Sequence, residues 1–220
     1  MRRLARIPMV GAVTLLALAP PLSAAPVRFN IDPVHSQVNF TIRHFFSRVT
    51  GRFNDFAGTL ELDEANLANS SVETTIQAAS INTNNERRDK HLRTADFFAA
   101  DSLPTLTFKS TKVTPGEQGT VKIEGNLTIR GITKPVLLEG NFMGAGAIEV
   151  GGQSAGYRAG FDASTTINRK DFNILWNKTL DKGGTVLGDD VLITIGVEAI
   201  RSEPEKAGAT PPTGKKPDKN

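Results

Sequence analysis

An alternation of apolar and polar residues with a period of two dominates the chain between Val27 and Arg201. In its clearest stretch, residues 191–198, Val, Ile, Ile and Val occupy every second position, with Leu, Thr, Gly and Glu between them. Successive side chains of a β-strand point to opposite faces of the sheet, so this pattern predicts strands with one buried face. Weaker versions of the pattern bring the prediction to about eight strands.

The predicted strands are joined by short turns. Pro115 and Gly116 separate one pair, and residues 130–133 form a tight hairpin between two strong strands. A glycine-rich stretch, residues 144–156, is predicted to connect the sixth and seventh strands. Closely spaced hairpins favour an antiparallel meander, and eight such strands close most economically into a barrel because a closed barrel has no free edge.

One segment, residues 84–100, has no alternation and is predicted to be helical. Asn84 or Asn85 can cap its start, and Pro104 prevents it from continuing into the next strand. Phe97 and Phe98, near its end, can plug an apolar space. The predicted fold class is therefore all-β: an eight-stranded antiparallel β-barrel with a short helical excursion between strands 3 and 4.

The N-terminus has the pattern of a secretory signal peptide, predicted over residues 1–25. Arg2, Arg3 and Arg6 precede an apolar run over residues 7–22, and small residues follow at 23–25. Several prolines interrupt the run, which is also shorter than a membrane-spanning helix requires, so an uncleaved anchor is the less favoured alternative. Cleavage after Ala24 or after Ala25 stays open, and we expect the mature protein in the periplasm.

The barrel domain is predicted over residues 26–201, and residues 202–220 are predicted to be a disordered tail because they are rich in Pro, Gly and Lys. Without the three N-terminal arginines the chain has 23 basic and 23 acidic residues, so its basic character is no evidence for nucleic-acid binding. The absence of cysteine excludes thiol catalysis and thiolate metal sites.

Six motifs in order resemble the YceI-like family of exported, lipocalin-like polyisoprenoid-binding proteins. They cover roughly residues 29–201. Asn173 departs from the family pattern, which has glycine after Phe172. The matching residues are Asp32, His35, Ser36, Phe40 and His44; Gly51, Phe53, Phe56 and Gly58; Arg88, Asp89, His91, Leu92, Phe97 and Phe98; Pro104 and Phe108 to Ser110; Gly125 to Gly131; and Arg169 to Phe172.

The resemblance implies a lipocalin-like barrel with a long apolar interior that holds an isoprenoid chain, for example a polyprenyl phosphate or a quinone precursor. We therefore expect a binding or carrier protein, not an enzyme, with no cofactor and no metal. Contact with a membrane surface, through the lysines of the tail, and pairing into a homodimer both stay open.

The alternation indicates which side chains face the interior, but alternation alone fits a core filled by side chains as well as a cavity. The resemblance favours the cavity. For an anionic head group, the candidates are His35, His44, Arg88, Asp89, His91 and Arg169, each with a structural alternative. The predicted ligand-binding residues are Val38, Phe40, Ile42, His44, Phe53, Ile76, Arg88, His91, Phe97, Phe98, Phe108, Leu127, Ile129, Phe161, Ile167, Arg169 and Phe172.

Two other functions compete with lipid binding. The three histidines, with Asp32 or Asp89, could bind zinc in a metalloenzyme, but the sequence lacks the H-E-x-x-H motif, the G-x-S-x-G elbow and the phosphate-binding P-loop. The other alternative is a structural or stress-related envelope protein without a ligand.

Overall fold

The computed structural model describes residues 25–181 and 183–202. The predicted signal peptide and tail lie outside these residues, apart from Ala25 and Ser202. Eleven strand segments and one α-helix account for most of the described chain. They are β1 (Val27–Ile31), β2 (Gln37–His44), β3 (Ser47–Phe53), β4 (Phe56–Leu62), β5 (Ser71–Gln77), β6 (Ile81–Asn82), α1 (Glu86–Arg93), β7 (Thr105–Pro115), β8 (Thr120–Ile129), β9 (Ile132–Val150), β10 (Gln153–Asn168) and β11 (Leu187–Arg201).

The segments form one closed antiparallel barrel of eight long strands. The first three long strands are each interrupted, so that they consist of β1 with β2, β3 with β4, and β5 with β6; β7 to β11 supply the other five. The barrel closes because β11 pairs with β2 along most of its length and with β1 at its end. The predicted eight-stranded barrel is confirmed, as is the helical excursion between its third and fourth strands.

The three interruptions lie side by side. The Asp32 amide donates to the Glu198 carbonyl at 2.8 Å, the Asn54 amide to the Ser80 carbonyl at 3.2 Å, and the Gln77 amide to the Asp55 carbonyl at 2.9 Å. One backbone amide at each break is therefore still paired across the wall. The breaks separate β2, β3 and β6 from β1, β4 and β5, the other segments of the same long strands.

The helical segment covers one end of the barrel, which we call the helix end. Asn85 caps α1 by accepting a hydrogen bond from the Arg88 amide at 3.0 Å, as the sequence predicts. Phe98 packs edge-on against Phe53, with ring centroids 5.6 Å apart. Arg130, in the β8–β9 hairpin, donates to the Ala95 carbonyl at 2.9 Å and also to the Phe97 carbonyl. The hairpin and the helical segment are thus fastened together.

The glycine-rich stretch at residues 144–156 is strand over most of its length. β9 continues to Val150 and β10 begins at Gln153, so only Gly151 and Gly152 form the turn, both with positive φ. Glycine and alanine give no apolar alternation, yet their backbone groups pair, with irregularities near Ser154 and Gly160. The hairpin extends past the end of β8, whose last partner on β9 is Asn141.

None of the helices in the described residues is long and apolar enough to span a membrane.

Candidate functional site: an apolar cavity along the barrel

The interior of the barrel is a cavity with a volume of about 360 Å³. This volume falls in the range of pockets that hold small ligands, roughly 300–1,000 Å³. Eight of the twelve phenylalanines line it, together with aliphatic side chains from every long strand. A wall of this kind offers large apolar area and few hydrogen-bonding groups, which suits a long hydrocarbon chain.

Sixteen of the seventeen predicted ligand-binding residues lie on the cavity wall. The structure brings them together from six of the eight long strands, the helical segment and the short helical turn after β10. They are Val38, Phe40, Ile42, His44, Phe53, Ile76, Arg88, Phe97, Phe98, Phe108, Leu127, Ile129, Phe161, Ile167, Arg169 and Phe172.

His91 is the exception, because it does not line the cavity. Its ring lies edge-on to Phe97 and Trp176, with ring centroids 5.1 Å apart in both cases, and its Nε2 is 2.8 Å from the Asp96 carboxylate. On α1, Arg88 and Leu92 are four residues apart and face the cavity. His91 instead packs against Phe97 and Trp176, whose rings line the cavity.

Two phenylalanine rings lie over glycines of the wall. The Phe40 ring covers Gly51, its partner on β3, and a Cβ placed on Gly51 would be 2.4 Å from the Phe40 Cζ atom. The Phe108 ring covers Gly125 on β8 at the same separation. Because glycine has no side chain, each ring can lie against the sheet instead of projecting to the barrel axis. This arrangement keeps the middle of the cavity open.

The Arg88 side chain is held at the helix end of the cavity by Thr83. Its Nε donates to the Thr83 hydroxyl at 2.7 Å, and one terminal nitrogen donates to the Thr83 carbonyl at 2.8 Å. The buried Asp89 carboxylate accepts hydrogen bonds from the Thr83 amide, at 2.9 Å, and from its hydroxyl. Asp89 is therefore a structural anchor. The other terminal nitrogen of Arg88 makes no hydrogen bond to a described residue and is available to a ligand.

Arg169 lines the cavity, but four of the five N–H groups of its guanidinium donate to other atoms of the protein. The buried guanidinium donates to the carbonyls of Gly188, Ile174 and Trp176 at 2.6–2.9 Å, and to Asp189 at 3.2 Å. Burial lowers the pKa of Arg169, while Asp189 opposes that shift. With one N–H left over, Arg169 mainly fixes the segment between β10 and β11 and can contribute little to binding an anion.

Asn173 stands where the family pattern has glycine, and the structure explains why asparagine serves. The residue follows the short helical turn Arg169–Phe172 and adopts the left-handed conformation, with φ of 58°. Asparagine tolerates this conformation better than other residues with a Cβ. Phe172, the residue before it, is buried and lies on the cavity wall.

His35 and Asp32 lie outside the cavity, at the interruption of the first long strand. Asp32 accepts hydrogen bonds from the His35 ring at 2.8 Å and from Arg158 at 3.2 Å, and Arg158 also contacts Glu198. The hydrogen bond from His35, followed by those from the Val34 amide and Arg158, lowers the pKa of Asp32 although burial opposes it. The cluster fastens β1 and β2 to β10 and β11.

For the metalloenzyme alternative, the described residues contain one group that could bind a metal ion: Asp32, His35 and Glu198. It contains one histidine, whereas the sequence hypothesis joined three. The Arg158 guanidinium contacts both carboxylates, so a cation already occupies the position that a metal ion would take. His44 and His91 lie elsewhere and have different neighbours.

The list of predicted ligand-binding residues omitted much of the wall. On β11, residues 191, 193, 195 and 197 all line the cavity, and their alternation was a sufficient signal to find them. Trp176 and Ile174 also line it, but they lie in a non-repetitive segment where no sequence pattern marks them.

The model of the YceI-like domain family matches residues 29–199 of this chain. The chain belongs to the YceI-like family. A UPF0312 protein of Pectobacterium atrosepticum is 41% identical over 193 residues, which cover 87% of this chain and 95% of the relative.

Solved structures agree with the family and the fold. The YceI protein of Campylobacter jejuni superposes with a TM-score of 0.62 at 32% identity, covering 73% of this chain and 90% of that one. A structure from Saccharophagus degradans, described as a polyisoprenoid binding domain, superposes with a TM-score of 0.57 at 14% identity, covering 80% and 99% of the two chains. The second likeness shows a shared fold.

Proposed function

We propose that this YceI-like protein is a non-enzymatic periplasmic carrier that holds one long apolar lipid, of polyisoprenoid type, inside its barrel. The observation that carries the proposal is the continuous apolar cavity, with rings held flat against its wall over Gly51 and Gly125. The polyisoprenoid-binding description of the Saccharophagus degradans domain, which shares the fold, supports the choice of lipid.

The lipid tail needs no specific polar contact, because its binding energy scales with the apolar area removed from water. The head group then lies at the helix end, where Arg88 and His44 join the lining. Arg88 is held by Thr83 with one terminal nitrogen free, so it can donate charge-assisted hydrogen bonds to a phosphate. This arrangement favours a polyprenyl phosphate over an uncharged isoprenoid.

A pair of neighbouring substitutions on β2 tests whether the cavity is the binding site. Phe40 lines the cavity, whereas Thr41 points to the outer face. We expect Phe40→Glu to abolish loading, measured as lipid per protein after organic extraction, because a carboxylate in an apolar cavity is strongly disfavoured. Thr41→Glu adds the same charge outside and should leave loading unchanged.

Ile123→Trp provides a second test that adds no charge. Ile123 lines the cavity, and the indole ring of a tryptophan at this position would shorten the open space. We expect the variant to retain shorter chains than the wild type does, measured by mass spectrometry. Equal loading and equal chain length in the wild type, Phe40→Glu and Ile123→Trp would refute binding inside the barrel.

The periplasmic location is part of the proposal and is supported by the signal-like pattern at residues 1–25. Cell fractionation with mass spectrometry of the N-terminus tests it. We expect recovery in the periplasmic fraction with the chain beginning at Ala25 or Pro26. Recovery of a chain that retains Arg2, Arg3 and Arg6 would contradict export with cleavage.

A further inference from the structure

The β2–β3 hairpin carries two exposed phenylalanines at its turn, Phe45 and Phe46, and Phe46 is fully exposed. The turn adjoins the cavity, because His44, the residue before it, lines the cavity and pairs with Ser47 across the hairpin. Leu175, at the same end of the barrel, is also exposed, between the lining residues Ile174 and Trp176. Large apolar side chains therefore project into solvent around the helix end.

The turn has a backbone conformation that phenylalanine rarely adopts. Phe45 has φ of 49°, at the first central position of a two-residue hairpin turn, where glycine is the favoured residue. A bulky residue with positive φ is an outlier that persists only when something other than local stability favours it. The Phe45 amide donates to the Val186 carbonyl at 3.0 Å, and its ring lies edge-on to His44, so these contacts hold the turn in place. Neither contact involves the ring of Phe46, which is fully exposed and accessible to a partner.

Two arginines flank the phenylalanines. Arg43 and Arg48 are directly opposite each other on β2 and β3, where like charges disfavour pairing of the strands. Arg43 donates to the Phe45 carbonyl at 3.2 Å, and neither arginine forms an ion pair with any residue that the structure describes. The nearby Asp189 is already paired with Arg169 and Lys170. The turn therefore presents a cationic side chain without an ion-pair partner on each side of an apolar tip.

We propose that the turn from Arg43 to Arg48 docks the protein on an anionic phospholipid bilayer, with Phe46 inserted at the interface and the two arginines on lipid phosphates. Apolar rings beside cationic side chains are the combination that interfacial binding requires. A second copy of the chain fits less well, because a two-residue tip is far smaller than the roughly 800 Å² per partner of a stable interface. The inference rests on the proposed function, since docking would place the helix end of the cavity, where Arg88 and His44 lie, against the lipid surface.

The β9–β10 hairpin provides an internal control. It also exposes apolar side chains, Met143, Ile148 and Val150, but its only charged residue near the tip is Glu149. An acidic tip is repelled by an anionic surface. Val150→Ser therefore removes an exposed apolar side chain from a hairpin that the proposal leaves free of the bilayer.

The test is co-sedimentation of the purified protein with vesicles of phosphatidylethanolamine and phosphatidylglycerol, compared with vesicles of phosphatidylcholine. Every variant has the same chain ends as the wild type, so differences between variants report on the hairpins. We expect Phe46→Ser to lower the partition coefficient roughly tenfold or more and Arg48→Ala to lower it about fivefold. Val150→Ser should equal the wild type, and binding should weaken strongly at 1 M salt.

The inference is overturned if Phe46→Ser binds as well as the wild type, if Val150→Ser loses as much, or if neutral vesicles bind equally. It is also overturned if Phe46→Ser changes a dimer into a monomer in sedimentation velocity without any vesicle binding. Extraction of the same samples separates the two proposals. Lipid recovered without vesicle binding refutes docking alone, whereas vesicle binding without recovered isoprenoid refutes the carrier function and leaves the docking surface standing.

Discussion

At the residue scale, the open cavity depends on positions that carry no side chain. The Phe108 ring can lie over Gly125 because glycine has no Cβ. A Cβ at this position would be 2.4 Å from the Phe108 Cζ atom. We expect Gly125→Ala to push the ring away from the wall and to lower the free energy of unfolding by about 1–3 kcal/mol, the usual cost of overpacking. Urea denaturation measures the change.

Gly146 is the matched control for that substitution. It lies in β9 without a positive φ, and a Cβ there would meet nothing within 4 Å. Gly146→Ala should change the free energy of unfolding by no more than about 0.5 kcal/mol. Equal effects of the two substitutions would show that Gly125 does not hold the ring against the sheet.

The ionised carboxylate of Asp32 stabilises the fold in a pH-dependent way. Its hydrogen bonds to His35, the Val34 amide and Arg158 lower its pKa below the ordinary value of 3.8. A carboxyl group with a lowered pKa stabilises the folded state above its unfolded pKa, and this contribution disappears as the pH falls through the folded value.

We therefore expect Asp32→Asn to lower the free energy of unfolding by about 1–3 kcal/mol at pH 7, as for other hydrogen bonds to charged groups. The difference from the wild type should shrink below pH 4. Asp101→Asn, at an exposed position, controls for the lost charge. Urea denaturation at pH 7 and pH 3 decides the matter, and a difference that stays constant between the two pH values would contradict the assignment.

At the element scale, the extension of the β9–β10 hairpin lies outside the cavity. Residues 143–158 contribute nothing to the wall, and Ala147 pairs directly with Tyr157. Replacing residues 148–156 with an Asn-Gly turn should preserve both the barrel and its lipid content, because this dipeptide suits a two-residue hairpin. Lipid per protein and the thermal midpoint measure the result, and a loss of loading would show that the hairpin takes part in binding.

The sequence predicted the strands wherever apolar and polar residues alternate, and it predicted α1 because Asn85 and Pro104 mark its limits. It did not predict the glycine-rich part of β9 and β10, since glycine and alanine show no contrast between faces. It also missed the interruptions near Asp32, Asn54 and Ala78, because these depend on pairing between distant strands. The prediction that His91 lines the cavity was wrong. The orientation of so short a helix is set by packing, which the sequence does not show.

At the scale of the whole molecule, the period-two pattern cannot distinguish a hollow barrel from a filled one. Both place the same apolar residues inside, and the difference lies in where the rings of Phe40 and Phe108 point. Those directions follow from glycines on neighbouring strands, which become neighbours only after the barrel has closed. The resemblance to the YceI-like family favoured the cavity, and the structure shows its wall and volume.

The carrier function itself is tested most directly by identifying what the protein holds. The protein is purified from cells without detergent, extracted with organic solvent, and its lipid content is measured by mass spectrometry against protein concentration. We predict about one isoprenoid chain per barrel in the wild type and close to none in Phe40→Glu. Recovery of no lipid from the folded wild type, or of equal lipid from both proteins, would contradict the account.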